Sequence, residues 1–220
     1  VLVPDEPTGL GMPGRPQNRK LFFARGKKPT EASPVSQYSK SAVFFMFNKN
    51  VDRILIHEQT ILSRLDQLGD DITRDYEGKE LTIVAILNGS LIFMADLLRR
   101  IRIPLKVDCW SVSSYHGVKS TGTINFRQQT ISDVDNRYVL LLDDILDSGL
   151  TLKTIKDKLI NETKTIEVKT CVLLNKNVKR AVEVEADYKG FDIGGEFVVG
   201  YGLDYNEHYR NLPYIGVYKE

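Results

Sequence analysis

Apolar residues fall at helical spacing over residues 58–76, where Ile61, Leu62, Leu65, Leu68, Ile72 and Tyr76 line one face. That period predicts a long amphipathic helix. Residues 81–87 (LTIVAIL) form a short continuous apolar run, which predicts a buried strand. Asn88-Gly89-Ser90 reads as a turn and residues 91–101 as a helix. Residues 105–114 are β-rich but alternate less cleanly, and 116–130 carry two glycines and no period, the pattern of a mobile loop. Residues 138–142 predict another buried strand, and Thr154, Ile155, Leu159 and Ile160 continue at helical spacing. Strands are expected at 168–174, 188–193, 197–201 and 214–218, with a helical turn over 206–212.

Strands alternating with helices predict an α/β fold with a mainly parallel sheet. Ligands of such sheets bind beyond the carboxyl ends of the strands. Three polar turns are expected there, at 88–90, 143–151 and 175–180. No internal repeat is visible.

The richest of these turns follows Val139-Leu140-Leu141-Leu142. Asp143, Asp144 and Asp147 place three carboxylates within five positions, and Ser148, Gly149, Leu150 and Thr151 follow. The run reads as strand, acidic turn, helix start. Backbone N–H groups and hydroxyls at a helix N-terminus hold a phosphate. Carboxylates beside them bind sugar hydroxyls or a hydrated divalent cation. The competing reading is a buried strand with a polar cap at Asp147 or Ser148, but a cap needs one polar residue rather than three carboxylates. The turn lacks the Gly-x-x-x-x-Gly-Lys of a P-loop, and an acidic pair would repel a bare triphosphate.

Composition narrows the class. The 220 residues suit one domain, or one domain with a tail, and the net charge of +1 makes no case for nucleic acid or a membrane surface. Cys109 and Cys171 lie far apart and lack metal spacing, which points to a reducing compartment and a cytoplasmic protein. His57, His116 and His208 are scattered. No apolar run reaches the roughly 20 residues of a membrane helix. Residues 1–45 hold six of the eight prolines and seven Lys/Arg against three Asp/Glu, and read as a flexible arm ahead of a domain at 46–220. Asp5, Glu6 and the dense prolines argue against a transit peptide. A start of translation at Met46 is the alternative account of this segment.

The acidic run resembles the phosphoribosyl-pyrophosphate (PRPP) motif of the type I phosphoribosyltransferases at all thirteen positions from Val139 to Thr151. From about Ile56 onward the chain is similar to the hypoxanthine–guanine branch of that family. Ile86-Leu87-Asn88-Gly89-Ser90 resembles its pyrophosphate loop, and Ser114-Tyr115 the start of its mobile active-site loop. Leu174-Asn175-Lys176 resembles the segment bearing the purine-reading lysine. The run from Phe197 to Glu207 (FVVGYGLDYNE), followed by Arg210, resembles the branch's C-terminal signature, which is the strongest discriminator. Departures are small: Asn88 stands where many relatives carry Lys, Asp143 where some carry Glu, and Leu150 where some carry Lys.

The resemblance implies a mainly parallel sheet flanked by helices, with a small C-terminal hood. It implies transfer of the 5-phosphoribosyl group of PRPP to hypoxanthine or guanine, with Mg²⁺ as cofactor and a homodimer or homotetramer as the assembly. Asp147 is then the partner of purine N7, and Asp143 and Asp144 serve the ribose hydroxyls, directly or through Mg²⁺. Crowding of three carboxylates is expected to raise at least one pKa by mutual repulsion unless a cation or hydroxyls relieve it. Ser148, Gly149, Leu150 and Thr151 hold the 5′-phosphate. Leu87, Asn88, Gly89, Ser114, Tyr115 and Arg210 serve pyrophosphate, with a cis bond after Leu87 as in relatives. Lys176 meets purine O6, Phe197 stacks on the ring, and Val198 and Ile145 complete the purine pocket. Asp204 is assigned a second Mg²⁺, with capping of a helix as its alternative.

Two other functions compete. A transferase preferring xanthine differs only at the purine 2-position, which backbone carbonyls read. A regulator that senses PRPP and binds nucleic acid needs a basic face, whereas residues 46–220 are net −3 and the one candidate, the basic arm with Arg15, Arg19, Lys20, Arg25, Lys27 and Lys28, lies outside the domain.

Overall fold

The computed structural model describes residues 50–114, 124–128 and 134–219. The arm expected at 1–45 and Tyr115 lie outside these described residues. Nine strands and three helices follow in the order β1 (Val51–Ile56), α1 (Glu58–Asp75), β2 (Leu81–Leu87), α2 (Leu91–Leu98), β3 (Leu105–Ser114), β4 (Ile124–Gln128), β5 (Tyr138–Leu146), α3 (Leu150–Glu162), β6 (Glu167–Lys176), β7 (Tyr188–Ile193), β8 (Val198–Val199) and β9 (Ile215–Tyr218), counted among the described residues.

Six strands form one sheet in the order β4-β3-β2-β5-β6-β7. Five of them run parallel, and β4 joins antiparallel to β3 at the edge. The buried strands are apolar on both faces, as a sheet covered on both sides requires. Ile83, Ala85, Leu140 and Leu142 pack into one core with Ile61, Leu65, Leu68 and Ile72 of α1. Val84, Ile86, Val139 and Leu141 pack into the other with Leu152, Ile155 and Leu159 of α3. The turns after β2, β5 and β6 therefore share the carboxyl edge of the sheet.

A second sheet, β1-β9-β8, is antiparallel and forms the hood. It differs from the C-terminal hood expected, because β1 comes from the start of the described chain. β1 escaped the pattern reading because only Ile56 among its six residues is buried, so it shows no buried alternation. The hood packs on the main core through Val198, Tyr201, Leu203 and Ile215.

Three further expectations are corrected. Residues 124–128, placed within a loop, form β4, whose pairing to β3 supplies order that sequence period does not. Helix α2 stops at Leu98, three residues before the expected end. The helical turn expected over 206–212 is a series of tight turns, because Asn206, Glu207 and Tyr209 have φ of 50°, 62° and 74°. Right-handed helix excludes such angles.

Candidate active site

The acidic pair does not stand in a turn. β5 continues through both residues, with Asp143 opposite Val172 and Ile145 opposite Leu174 of β6. Extended pairing carries two carboxylates to the rim of the core without exposing them. Asp143 is buried, Asp144 is half-buried, and Asp143 Oδ1 accepts the Asp144 N–H at 3.0 Å. Burial drives the Asp143 pKa well up, and the Asp144 charge adds to it. Burial also raises Asp144, against the smaller opposing pull of the Arg210 charge. Loss of solvation thus outranks the mutual repulsion expected from spacing.

Gly89, after β2, lies against Asp144. A Cβ at Gly89 would stand 1.7 Å from Asp144 Oδ2. The Leu87–Asn88 peptide is cis. Asn88 is exposed, Leu87 half-buried, and Ser90 Oγ donates to the Ile86 carbonyl oxygen at 2.5 Å to close the turn. On its other side Gly89 meets the hood signature, since a Cβ at Gly202 would stand 2.1 Å from the Gly89 carbonyl oxygen. Gly202 also has φ of +104°. Gly202→Ala is therefore expected to lower stability by about 2 kcal/mol, read from the urea midpoint, because it combines backbone strain with a backbone clash.

Asp204 and Arg210 face the same corner, but they are engaged with each other. Arg210 Nη2 pairs with Asp204 Oδ1 at 2.8 Å and with Glu207 at 2.9 Å, and Nη1 donates to the Gly202 carbonyl oxygen at 2.9 Å. Asp204 Oδ2 also accepts the Glu207 N–H at 2.9 Å, so it caps a turn where the sequence offered a helix cap as the alternative.

Beyond β5, Gly149 precedes α3 with φ of +81°, so neither Asp147 nor Ser148 is the residue at the helix cap position. The Leu150 N–H reaches Ser148 Oγ at 3.4 Å. The opening turn of α3, with Leu150 exposed and Thr151 half-buried, presents N–H groups that have no partner within the helix. An anion fits there.

Lys176 ends β6. In place of the solvated loop residue that its polar run suggests, it is only 9% exposed. Its ammonium pairs with Asp147 Oδ2 at 2.9 Å. Phe197 is 51% exposed, contrary to a core role. Tyr205 and Tyr218 hold its ring edge-on, with centroids at 5.8 and 5.9 Å. Val198 is buried opposite Val217, and Ile145 packs on the main core. Ser114 is the last residue of β3.

Residues 51–206 match the family model of the phosphoribosyl transferase domain. The chain belongs to the phosphoribosyltransferase family. A hypoxanthine-guanine phosphoribosyltransferase of Streptococcus pneumoniae is 46% identical over 176 residues, covering 80% of this chain and 97% of that protein. The bifunctional protein TilS/HprT of Listeria monocytogenes is 44% identical over 211 residues, covering 91% of this chain and 32% of that protein. A crystal structure of a hypoxanthine phosphoribosyltransferase from Staphylococcus aureus superposes with a TM-score of 0.75 at 42% identity, covering 82% of this chain and 97% of that one.

In this phosphoribosyltransferase domain the expected site residues form two described groupings. One gathers Gly89, Asp144, Asp204 and Arg210; the other joins Asp147 to Lys176. Sequence reading missed the partners behind them. Asn175 donates to Asp192 Oδ1 at 2.5 Å, and Tyr201 in the signature donates its hydroxyl to Asp96 on α2. These pairs lie 17 and 105 residues apart, and no local pattern announces them.

The residues also fit a hard cation. Asp143 and Asp144 offer oxygen ligands from two neighbouring carboxylates whose charged forms burial disfavours, a condition that a divalent ion relieves. Among the described residues no group of three or more His, Cys, Asp or Glu is assembled for a metal. An ion held by this pair would need water and substrate oxygens to complete its shell. Asp204 fits less well while Arg210 occupies its carboxylate.

Proposed function

We propose that this chain transfers the 5-phosphoribosyl group from PRPP to hypoxanthine and guanine, giving IMP or GMP and pyrophosphate. The observation that carries the reading is the contact of Lys176 with Asp147 immediately before the phosphate-binding start of α3. It sets a cation suited to a 6-oxo group beside a carboxylate suited to a ring N–H, on the chain segment that leads into an anion site.

The C1′–oxygen bond to pyrophosphate breaks as purine N9 approaches C1′, and positive charge develops on the ribose. The backbone of residues 87–89 and Arg210 receive the leaving pyrophosphate. Arg210 must exchange Asp204 and Glu207 for the phosphate oxygens to do so. Asp143 and Asp144 meet the ribose hydroxyls, and residues 148–151 hold the 5′-phosphate. Phe197 covers one face of the purine, Lys176 donates to O6, and Asp147 accepts the N7 proton as N9 bonds to C1′. Val198 and Ile145 line the purine side. Ser114 and Tyr115 begin the segment that shields the reaction from water, since hydrolysis of PRPP competes. Bound Mg²⁺ supplies charge neutralisation for the pyrophosphate and its hydroxyl contacts.

The same reading places the protein in the cytoplasm as a homodimer or homotetramer acting in purine salvage. Cys109 and Cys171 are free, no described helix is long and apolar enough to cross a membrane, and Leu91 and Val107 present exposed apolar surface. On this reading residues 46–220 are the phosphoribosyltransferase domain.

A spectrophotometric assay with Mg²⁺ and PRPP tests the function, offering hypoxanthine, guanine, xanthine, adenine and uracil separately. Turnover of the first two is expected, from the full chain and from a chain beginning at Met46. PRPP binding without turnover of any base would replace this reading with a PRPP-sensing regulator.

A further inference from the structure

The polar run after β6 contains a guanidinium to which the proposed chemistry gives no role. Arg180 is half-buried and its fork spans three acceptors. Nη2 donates to Asn175 Oδ1 at 2.5 Å and to the Lys176 carbonyl oxygen at 3.3 Å. Nη1 donates to the Val184 carbonyl oxygen at 3.0 Å. Asn175 is itself anchored on Asp192 of β7. The guanidinium therefore grips the end of the strand that carries the purine lysine.

The same segment touches the phosphate turn. The Ala181 N–H donates to the Ser148 carbonyl oxygen at 3.1 Å. Val184 and Val182 close over Gly149, where a Cβ would stand 2.5 Å from Val184 Cγ1 and 3.2 Å from Val182 Cγ2. Val184 is thus both an acceptor of the Arg180 fork and the wall against which Gly149 fits. One side chain links the backbone of Lys176 to the segment that fixes Ser148 and Gly149.

We propose that Arg180 is a positioning residue that sets Lys176 and the phosphate turn at a common spacing, so that purine and 5′-phosphate are bound as the two ends of one nucleotide. The proposal rests on the functional reading of Lys176 and residues 148–151 given above. A planar fork with five donors can bridge carbonyls on both sides of the segment, whereas an ammonium offers a single point. Because both ends hang on the same group, its loss affects both substrates. That joint effect separates Arg180 from Lys176, which touches the purine alone.

The test compares Arg180→Lys and Arg180→Gln with the unsubstituted chain in the hypoxanthine assay, with Tm measured alongside. KM for hypoxanthine and KM for PRPP are expected to rise together, each about fivefold or more, with kcat changing less. A purely structural role would lower Tm and the active fraction but leave both KM values in place, because KM does not depend on the amount of active protein. Unchanged KM values, a rise for one substrate only, or failure of both variants to fold would overturn the proposal. Absence of purine turnover by the unsubstituted chain would instead remove the functional reading beneath it.

Discussion

Asp147→Asn is expected to lower kcat for hypoxanthine by about 10²- to 10³-fold while PRPP affinity stays within a few-fold, because a positioned base contributes on that scale. The substitution keeps the shape of the side chain and an oxygen able to accept from Lys176, but removes the ability to take a proton. The Asp147 side chain is 53% exposed, so its own solvation changes little. Lys176, 10% exposed at its side chain, bears the larger consequence, since it loses its ionic partner where water replaces it poorly. A modest fall in Tm should therefore accompany the kinetic loss. Steady-state rates and calorimetric PRPP binding on the same preparation separate the two effects. Unchanged turnover would remove Asp147 from the chemistry.

Lys176→Ala is expected to raise KM for hypoxanthine and guanine by about 10- to 100-fold, the range set by loss of a charge-assisted hydrogen bond to O6. KM for PRPP should change less than about threefold. The substitution leaves Asp147 without a cation, but an exposed carboxylate is readily solvated, so stability should fall less than in the reverse case. The preference for 6-oxopurines over adenine should narrow as well, since the donor that distinguishes them is gone. A collapse of PRPP affinity with an unchanged purine KM would show that Lys176 serves the phosphates instead. The pair also gives the two predictions a common origin: the free protein holds Asp147 and Lys176 on each other, and purine must take both over.

Much of the site is readable along the chain because it is local. The strand, acidic pair, glycine and start of α3 occupy thirteen consecutive positions, and their types dictate a buried strand that ends at a helix start. The loop at 88–90 announces itself by a glycine after an apolar run in the same way. What the local pattern misjudged was where the strand ends. Nothing in Asp143-Asp144 says that β6 will continue to pair alongside them, and that pairing runs through the segment that holds Asp143 buried and Asp144 half-buried. The same limit hid β1, whose strand pairing among the described residues is to β9 at the far end of the chain. It also hid the partners of Asn175 and Tyr201.

The sequence by itself determined the α/β class, the main buried strands and helices, and a candidate phosphate-binding turn, because each follows from apolar period and from residue types within a few positions. It also determined which side chains could perform the chemistry. Only the tertiary structure decided that Lys176 is buried against Asp147, that Gly89 abuts Asp144, and that Arg210 holds Asp204. It alone decided that loss of water, before mutual repulsion, governs the acidic pair. Burial and charge pairing depend on which strands become neighbours, and that is a property of the packed sheet rather than of any local run of residues.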